Sequence, residues 1–338
     1  MIFPFVLILV ASFFQGTFGV GMKYMKPLSW EAWWLIYSFI GMILFPDIWA
    51  LIAVPDLFDS IFAASSSTIF KGMFYGFLWG IGGILFGVSV NYVGVSITYG
   101  IVMGLASAAG SLIPLFQMPD ARENPAFPVI LIGVAVMLIG VALSAVAGEK
   151  RDRIQSGNEQ ESAGIKKGKA FRLGLLIAII SGLLSALLNV GFANASGVAE
   201  AAVDHGAITR NASLAAWVVV LWGAFIMNGL YCLILFIKNN SWGSYRTPNA
   251  SKAYRWAIIT GLLWFGALGI YGQGAALIGD IGPVIGWPIL LGLALIISNV
   301  WAVRTGEWKN SGNSFILMLI SLFVLIFACI ILGYANSL

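Results

Sequence analysis

Isolated amide, hydroxyl and indole groups interrupt the long apolar stretches of this chain, and they are its candidates for binding a ligand. Amides and hydroxyls can hydrogen-bond the hydroxyl groups of a neutral polar molecule, and the face of an indole can lie against its C–H groups. Polar groups are costly in hydrocarbon, so they usually face the interior of a helix bundle. The polar candidates are Gln15, Asn91, Ser181, Ser185, Asn189, Asn228, Tyr271 and Gln273.

Three of these side chains share one face of a predicted helix. Ser181, Ser185 and Asn189 recur at four-residue spacing and therefore form a single stripe. The stripe is either a helix-packing seam with interhelical hydrogen bonds or the wall of a cavity. Asn189 is the preferred binding residue because an amide is harder to bury than a hydroxyl. Tyr271 and Gln273 are two residues apart, so at most one of them faces a narrow cavity.

Two glycine-rich apolar stretches, residues 76–104 and 261–282, resemble each other at an offset of 185 residues. Internal repeats built from glycine-interrupted apolar segments point to the binding site of a membrane carrier. We therefore predict that Trp79 and Trp264 line a substrate cavity, against the alternative that they belong to an interfacial aromatic belt. The matched positions are Gly76, Leu78, Trp79, Gly87 and Gly94 with Gly261, Leu263, Trp264, Gly272 and Gly279.

Proton coupling needs a carboxyl group that binds and releases a proton, and a carboxyl group removed from water protonates more readily. Asp280 ranks first because it lies where a glycine and a proline separate two apolar segments. Asp47 ranks second because it follows a proline inside an apolar segment. Glu31 ranks third, since it stands at a predicted helix start where it would equally well interact with the helix dipole.

The sequence offers no pattern for a cofactor, a metal ion or a nucleotide. The chain has one histidine, His205, and no cluster of cysteine, histidine and carboxylate residues at ligand spacing. Phosphate-binding loops and nucleophile motifs are also absent from the sequence. An enzyme and an ATP-driven pump are therefore both disfavoured, and an ion gradient is the predicted energy source.

The composition predicts a polytopic membrane protein. Of 338 residues, 60% are hydrophobic and 9% are charged, whereas about 25% of residues are charged in soluble domains. A spanning helix needs about 20 mostly apolar residues. Ten continuously apolar segments satisfy that length, namely residues 2–22, 31–54, 72–93, 95–116, 127–147, 171–193, 212–237, 255–278, 283–303 and 314–335.

A polar stretch at residues 148–170 divides the predicted spans into two sets of five. Its charged and Gly/Ser/Gln-rich composition is typical of a flexible cytoplasmic linker. Fifteen Lys and Arg residues fall on the linker's side of the membrane and three on the other, so the positive-inside rule places both termini outside. Because each set has an odd number of spans, residues 1–147 and 171–338 are predicted to be two inverted five-helix repeats of an all-α integral membrane protein.

Several short pieces of both halves match a known family in their order and spacing. They are Ser29-Trp30-Glu31, Leu44-Phe45-Pro46, Trp79-Gly80-Ile81-Gly82, Tyr92-Val93-Gly94-Val95-Ser96, Ser181-Gly182, Ser185-Ala186, the segment 282–288 and Gly306-Glu307-Trp308-Lys309. In these pieces and in its ten-span plan the chain resembles the L-rhamnose–proton symporters of the drug/metabolite transporter superfamily. The resemblance implies proton-driven uptake of a methylpentose.

Together these observations predict a secondary carrier that takes up a neutral deoxysugar, with L-rhamnose first, by alternating access. Its predicted partners are the sugar, a proton or another cation, and the lipid bilayer, with no nucleic acid, metal or cofactor. The predicted location is the inner membrane, with periplasmic termini. Two alternatives stay open, which are a carrier of the same fold for another sugar or metabolite, imported or exported, and a membrane receptor or scaffold that does not transport.

Overall fold

The computed structural model describes residues 2–155 and 168–338, and these residues are helical without any β-strand. Apolar runs fold this way because a helix satisfies its backbone N–H and C=O groups within its own segment. The α-helices are α1 (Phe3–Thr17), α2 (Trp30–Phe39), α3 (Phe45–Ala53), α4 (Leu57–Ala63), α5 (Ser66–Val93), α6 (Val95–Gln117), α7 (Phe127–Gln155), α8 (Lys169–Asn194), α9 (Ser196–Asp204), α10 (Thr209–Asn239), α11 (Ser251–Ile278), α12 (Gly282–Arg304) and α13 (Asn313–Ala335).

Ten helical segments of the described chain are long and apolar enough to cross a membrane, which confirms the predicted number and order of spans. The inverted relation between the two halves and the orientation of the termini stay predictions. The spans are Phe3–Tyr24, Trp30–Ala53, Ser66–Val93, Val95–Gln117, Phe127–Gln155, Lys169–Asp204, Thr209–Asn239, Ser251–Ile278, Gly282–Arg304 and Asn313–Ala335.

The second span changes its helix type midway. A π-helical turn, Ile40–Leu44, separates α2 from α3, and Pro46 follows it at the start of α3. Proline has no N–H to donate, so it removes one bond from the helical ladder at this point. Wide π turns of this kind occur frequently at functional sites. The second span is therefore interrupted at the residues that precede Asp47.

Both ends of the predicted linker, residues 148–170, are helical in the described part of the chain. Helix α7 continues through residues 148–155, and α8 begins at Lys169, while residues 156–167 lie outside the described part of the chain. Charged side chains stabilise the extension of α7, because Arg153 pairs with Glu149 one turn earlier at 2.6 Å. Arg151 also lies over the ring of Trp308, 4.9 Å from its centroid. Polar composition alone therefore did not mark the end of this helix.

The described chain folds into two compact units, and each takes residues from both halves of the sequence. The first unit is Met1–Gly80 with Gly191–Pro283, and the second unit is Ile81–Val190 with Val284–Leu338. The predicted division into residues 1–147 and 171–338 concerns internal repetition rather than compactness, so it stays a prediction.

In the first unit, glycines let α5 lie directly against α10. A Cβ atom built at Gly76 would overlap the carbonyl oxygen of Val220, and one built at Gly223 would overlap the carbonyl oxygen of Met73. Small residues at four-residue spacing allow this close approach of helix backbones in membranes. Gly76 is thus a packing residue of α5. Its contact with α10 fixes the position of the helical turn that carries Trp79.

Gly76→Ala is expected to destabilise the protein by about 1–3 kcal/mol, because the new methyl group meets the fixed backbone of α10. Gly83→Ala is the matched control on the same helix, since no atom lies within 4 Å of a Cβ built there. Alanine favours a helix over glycine by about 1 kcal/mol, so the control should unfold at the same or a higher temperature. Thermal unfolding of both variants in detergent tests this contrast, and equal losses would contradict the packing described here.

In the second unit, α7 and α13 pack along much of their length. Leu325 and Leu332 of α13 contact the faces that Gly140 and Gly133 leave open on α7, where a Cβ would lie 2.7 Å from each leucine side chain. Helices α6, α8 and α12, together with residues 81–93 of α5, complete this unit, and buried polar contacts join several of them. Ser181 of α8, for example, donates its hydroxyl hydrogen to the carbonyl oxygen of Gly82 at 2.7 Å.

Candidate functional site

The two tryptophans of the repeated stretches meet in the first unit. The rings of Trp79 and Trp264 stack with centroids 5.5 Å apart and planes inclined by 25°. Trp264 is 3% exposed, whereas Trp79 is half-buried. Tyr37 also contacts Trp264 in an edge-type arrangement, with centroids 5.9 Å apart. Of the two stacked indoles, Trp79 is therefore the one that keeps exposed surface, while Trp264 is enclosed by the protein.

Glycines at the π-helical turn of the second span permit this aromatic cluster. A Cβ atom at Gly41 would lie 3.0 Å from the carbonyl oxygen of Gly261 and 3.3 Å from the ring of Trp264. A Cβ atom at Gly261 would lie 2.9 Å from the side chain of Ile40. The interrupted span and α11 thus cross at a pair of glycines, beside the stacked indoles.

An amide–indole hydrogen bond ties α2 to α10 in the same unit. The indole N–H of Trp34 donates to Asn228 Oδ1 at 2.8 Å, and Asn228 Nδ2 donates to the carbonyl oxygen of Ala224 at 2.9 Å. Asn228 is 6% exposed. Both ends of its amide group are therefore used within the protein, so Asn228 serves helix packing in this conformation.

Gln15 and Gln273 are both half-buried as whole residues, and both belong to the first unit. The Oε1 atom of Gln15 is buried without a hydrogen-bond partner among the described residues. An unsatisfied buried polar atom costs about 1–3 kcal/mol, so a ligand hydroxyl that bonded it would be stabilised. Tyr271 is fully buried and contacts the ring of Trp217. The two neighbours of Gly272 thus differ in burial, in line with the expectation that they point to different sides of α11.

The stripe on α8 makes contacts typical of a packing seam. Asn189 is fully buried, and its Nδ2 donates to the carbonyl oxygen of Gly110 at 2.8 Å. Ser185 is half-buried and lies beside Gly82. Asn91 is exposed near the end of α5 and donates to the carbonyl oxygen of Gly87, one turn earlier, at 3.2 Å. These three residues belong to the second unit, whereas both stacked indoles belong to the first.

The three acidic candidates occupy different surroundings. Asp280 is exposed in the turn before α12. Asp47 is half-buried, and its Oδ1 accepts the indole N–H of Trp222 at 3.2 Å. Glu31 is 4% exposed and accepts hydrogen bonds from the Ser241 hydroxyl and from Asn239 Nδ2. Asp47 is therefore the candidate that combines partial burial with a single neutral donor.

Two residues beside the candidate groups, Trp222 and Ser38, carry no signal in the sequence. Trp222 lies 175 residues from Asp47 in the chain, and Phe58 stacks on it at 6.4 Å. Ser38 follows Tyr37 near the end of α2, and its hydroxyl is buried without a partner among the described residues. No local pattern signals either residue, because both gain their surroundings from distant segments. Near the Asp47–Trp222 contact, the sequence shows one unusual feature, the proline that precedes Asp47.

Comparisons with known proteins place this chain beside a family of sugar–proton symporters. A family model described as L-rhamnose-proton symport protein (RhaT) matches residues 1–337. The L-rhamnose-proton symporters of Yersinia pestis (strain Pestoides F) and Yersinia pseudotuberculosis (serotype IB, strain PB1/+) are each 28% identical to this chain over 334 residues, covering 96% of this chain and 95% of theirs. Both relatives are named as transporters rather than as enzymes. Since the family model spans the chain almost from end to end, the protein belongs to the L-rhamnose-proton symport protein family.

Proposed function

We propose that this protein imports L-rhamnose together with a proton across the inner membrane, by alternating access. The observation that carries the proposal is the family match over residues 1–337. The half-buried Trp79 beside an interrupted span is the feature of the fold that fits a neutral sugar. Ten spanning helices supply the membrane setting in which a gradient can drive uptake.

The sugar is proposed to lie against Trp79 in the first unit. A pyranose presents a face of C–H groups that packs on an indole, and the rigid support from Trp264 reduces the entropy that the indole loses on binding. Gln15 and Gln273 are proposed to bond ring hydroxyls, and the unpartnered Oε1 of Gln15 favours this role. Tyr271, being fully buried, is proposed to support α11 rather than to touch the sugar.

Asp47 is proposed to carry the coupled proton. A carboxylate that exchanges a proton must be reachable by water in some state, and hydrogen bonds donated to its charged form oppose its protonation. Asp47 is half-buried and bonded by one indole, whereas Asp280 is exposed and Glu31 already holds two neutral donors. The proposal thus moves the coupling role from Asp280, first in sequence reasoning, to Asp47. Asn91 and Ser185 stay predictions as further sugar contacts.

Uptake of radiolabelled sugars into proteoliposomes tests the function. An imposed pH gradient, acidic on the entry side, is expected to drive accumulation of L-rhamnose above equilibrium. The gradient is then collapsed with a protonophore, which should release the accumulated sugar. No L-rhamnose signal with robust uptake of another sugar would reassign the substrate. Binding without any accumulation would favour a receptor and contradict the transport role.

A further inference from the structure

Helices α6 and α12 each contain a proline in their interior, Pro114 and Pro288. A proline cannot donate the N–H that would normally bond the carbonyl four residues earlier. The carbonyl groups deprived in this way are those of Gly110 and Val284. In a membrane segment such groups need another donor, because hydrocarbon supplies none.

Side chains from other helices replace both missing donors. Asn189 Nδ2 of α8 donates to the Gly110 oxygen at 2.8 Å. The hydroxyl of Ser111 on α6 donates to the Val284 oxygen of α12 at 2.6 Å. Both donors are fully buried, so these contacts are shielded from competing water. Each interrupted ladder is thus completed by a side chain.

The two interrupted helices also bond each other in the opposite direction. Trp287, the residue before Pro288, donates its indole N–H to the carbonyl oxygen of Ala106 on α6 at 3.0 Å. A Cβ atom at Gly110 would lie 2.5 Å from that indole nitrogen. The glycine therefore leaves the space that lets α12 reach the backbone of α6. All of these residues belong to the second unit.

We propose that Pro114, Pro288, Asn189, Ser111 and Trp287 form a proline joint, at which α6 and α12 change conformation during transport. A backbone N–H is fixed to its helix, so its bond cannot open without disrupting a turn. A side-chain donor can rotate away and return, which lets the interrupted turn adjust while the helix continues. Asn189 is then a positioning residue for the transport cycle rather than a sugar ligand. The inference rests on the proposed transport function.

Paired substitutions test the donor assignment without any substrate. Asn189→Ala and Ser111→Ala should each lower the unfolding temperature in detergent. Adding Pro114→Ala to Asn189→Ala restores a backbone donor to Gly110 and should recover the lost stability, and Pro288→Ala should do the same for Ser111→Ala. The crossed pairs, Pro288→Ala with Asn189→Ala and Pro114→Ala with Ser111→Ala, should show no recovery. Recovery in the crossed pairs, or none in the matched pairs, would overturn the assignment.

Asn299→Ala is the control for a generic effect of losing a buried amide. Asn299 is 8% exposed, but it donates to Leu295 of its own helix at 3.0 Å, and no proline deprives that carbonyl of its donor. Neither proline substitution should recover its stability. If Asn189→Ala does not fold, a folded double variant with Pro114→Ala supports the joint, and an unfolded double variant contradicts it.

Turnover measurements test the role in transport. Pro114→Ala and Pro288→Ala should keep the sugar dissociation constant while slowing turnover by about tenfold, the effect of about one added hydrogen bond to be broken in each cycle. Turnover at the wild-type rate in both variants would overturn the joint. A wild-type protein that transports no L-rhamnose rejects the proposed function instead. In that case the unfolding measurements still test which side chain donates to which carbonyl group. Turnover is then measured with the sugar that the protein does transport.

Discussion

Replacing Asp47 by asparagine is expected to abolish proton-driven accumulation of the sugar while leaving sugar exchange intact. Asparagine has the same shape and can still accept the indole N–H of Trp222, so the local packing is kept. It cannot bind and release a proton at physiological pH. The coupling of the two fluxes should therefore be lost without loss of the binding site.

The size of this effect follows from the energy of the gradient. One pH unit is worth about 1.4 kcal/mol per proton, which supports about tenfold accumulation if one proton accompanies each sugar. Under such a gradient the Asp47→Asn variant should reach equal sugar concentrations on both sides and no more. Exchange of labelled for unlabelled sugar, measured without a gradient, should proceed near the wild-type rate.

Asp280→Asn is the matched control because it removes a carboxylate from an exposed turn of the same unit. This variant should accumulate sugar like the wild type. Loss of accumulation in Asp280→Asn, together with normal accumulation in Asp47→Asn, would move the coupling role to the turn before α12. Normal accumulation in both variants would leave Glu31 as the acidic candidate of the three.

Replacing Trp79 by alanine is expected to weaken sugar binding by about tenfold or more. An aromatic contact contributes about 0.5–1.5 kcal/mol beyond the apolar area that it buries, and about 1.4 kcal/mol corresponds to a factor of ten. The half-saturating sugar concentration for exchange measures the loss directly. Trp79→Phe should recover part of the affinity, since phenylalanine keeps a smaller aromatic face.

Trp242→Ala controls for the general loss of an indole in the first unit. Trp242 is 49% exposed and stacks on Phe236 of α10. Its substitution should leave the half-saturating concentration unchanged. An unchanged value in Trp79→Ala would place the sugar elsewhere and reduce the stacked pair to a packing contact between α5 and α11.

Hydrophobic patterning predicted the spans because the bilayer imposes their length and helical form. Ten segments found by apolar length agree with the ten helices, although the ends differ by several residues where charged side chains extend a helix. Arg153 and Glu149 illustrate this, since their pair stabilises a turn that composition assigned to a linker. Length and hydropathy are local properties, so they can be read without knowledge of tertiary contacts.

Hydrogen bonds between polar groups that lie far apart in the sequence could not be predicted from length and hydropathy. Asn189 was a candidate ligand by its residue type, yet its amide bonds a carbonyl that Pro114 deprives of a donor. Ser111 was not a candidate by its residue type or spacing, although its hydroxyl donates to the Val284 carbonyl, which Pro288 deprives of a donor. The two prolines were visible in the chain, but which side chain replaces each missing donor depends on helix packing.

The sequence by itself determined that this chain is a ten-span helical membrane protein, that it resembles sugar–proton symporters, and that Trp79 and Trp264 occupy matched positions. These conclusions follow from composition, from the lengths of apolar segments and from the order of short motifs, which can all be read along the chain. Tertiary structure alone decided that the two indoles stack, that Asp47 meets Trp222, and that Asn189 completes an interrupted helix. Contacts across 79 to 185 positions depend on how helices pack, and helix packing is set by the sum of many side-chain shapes rather than by any local pattern.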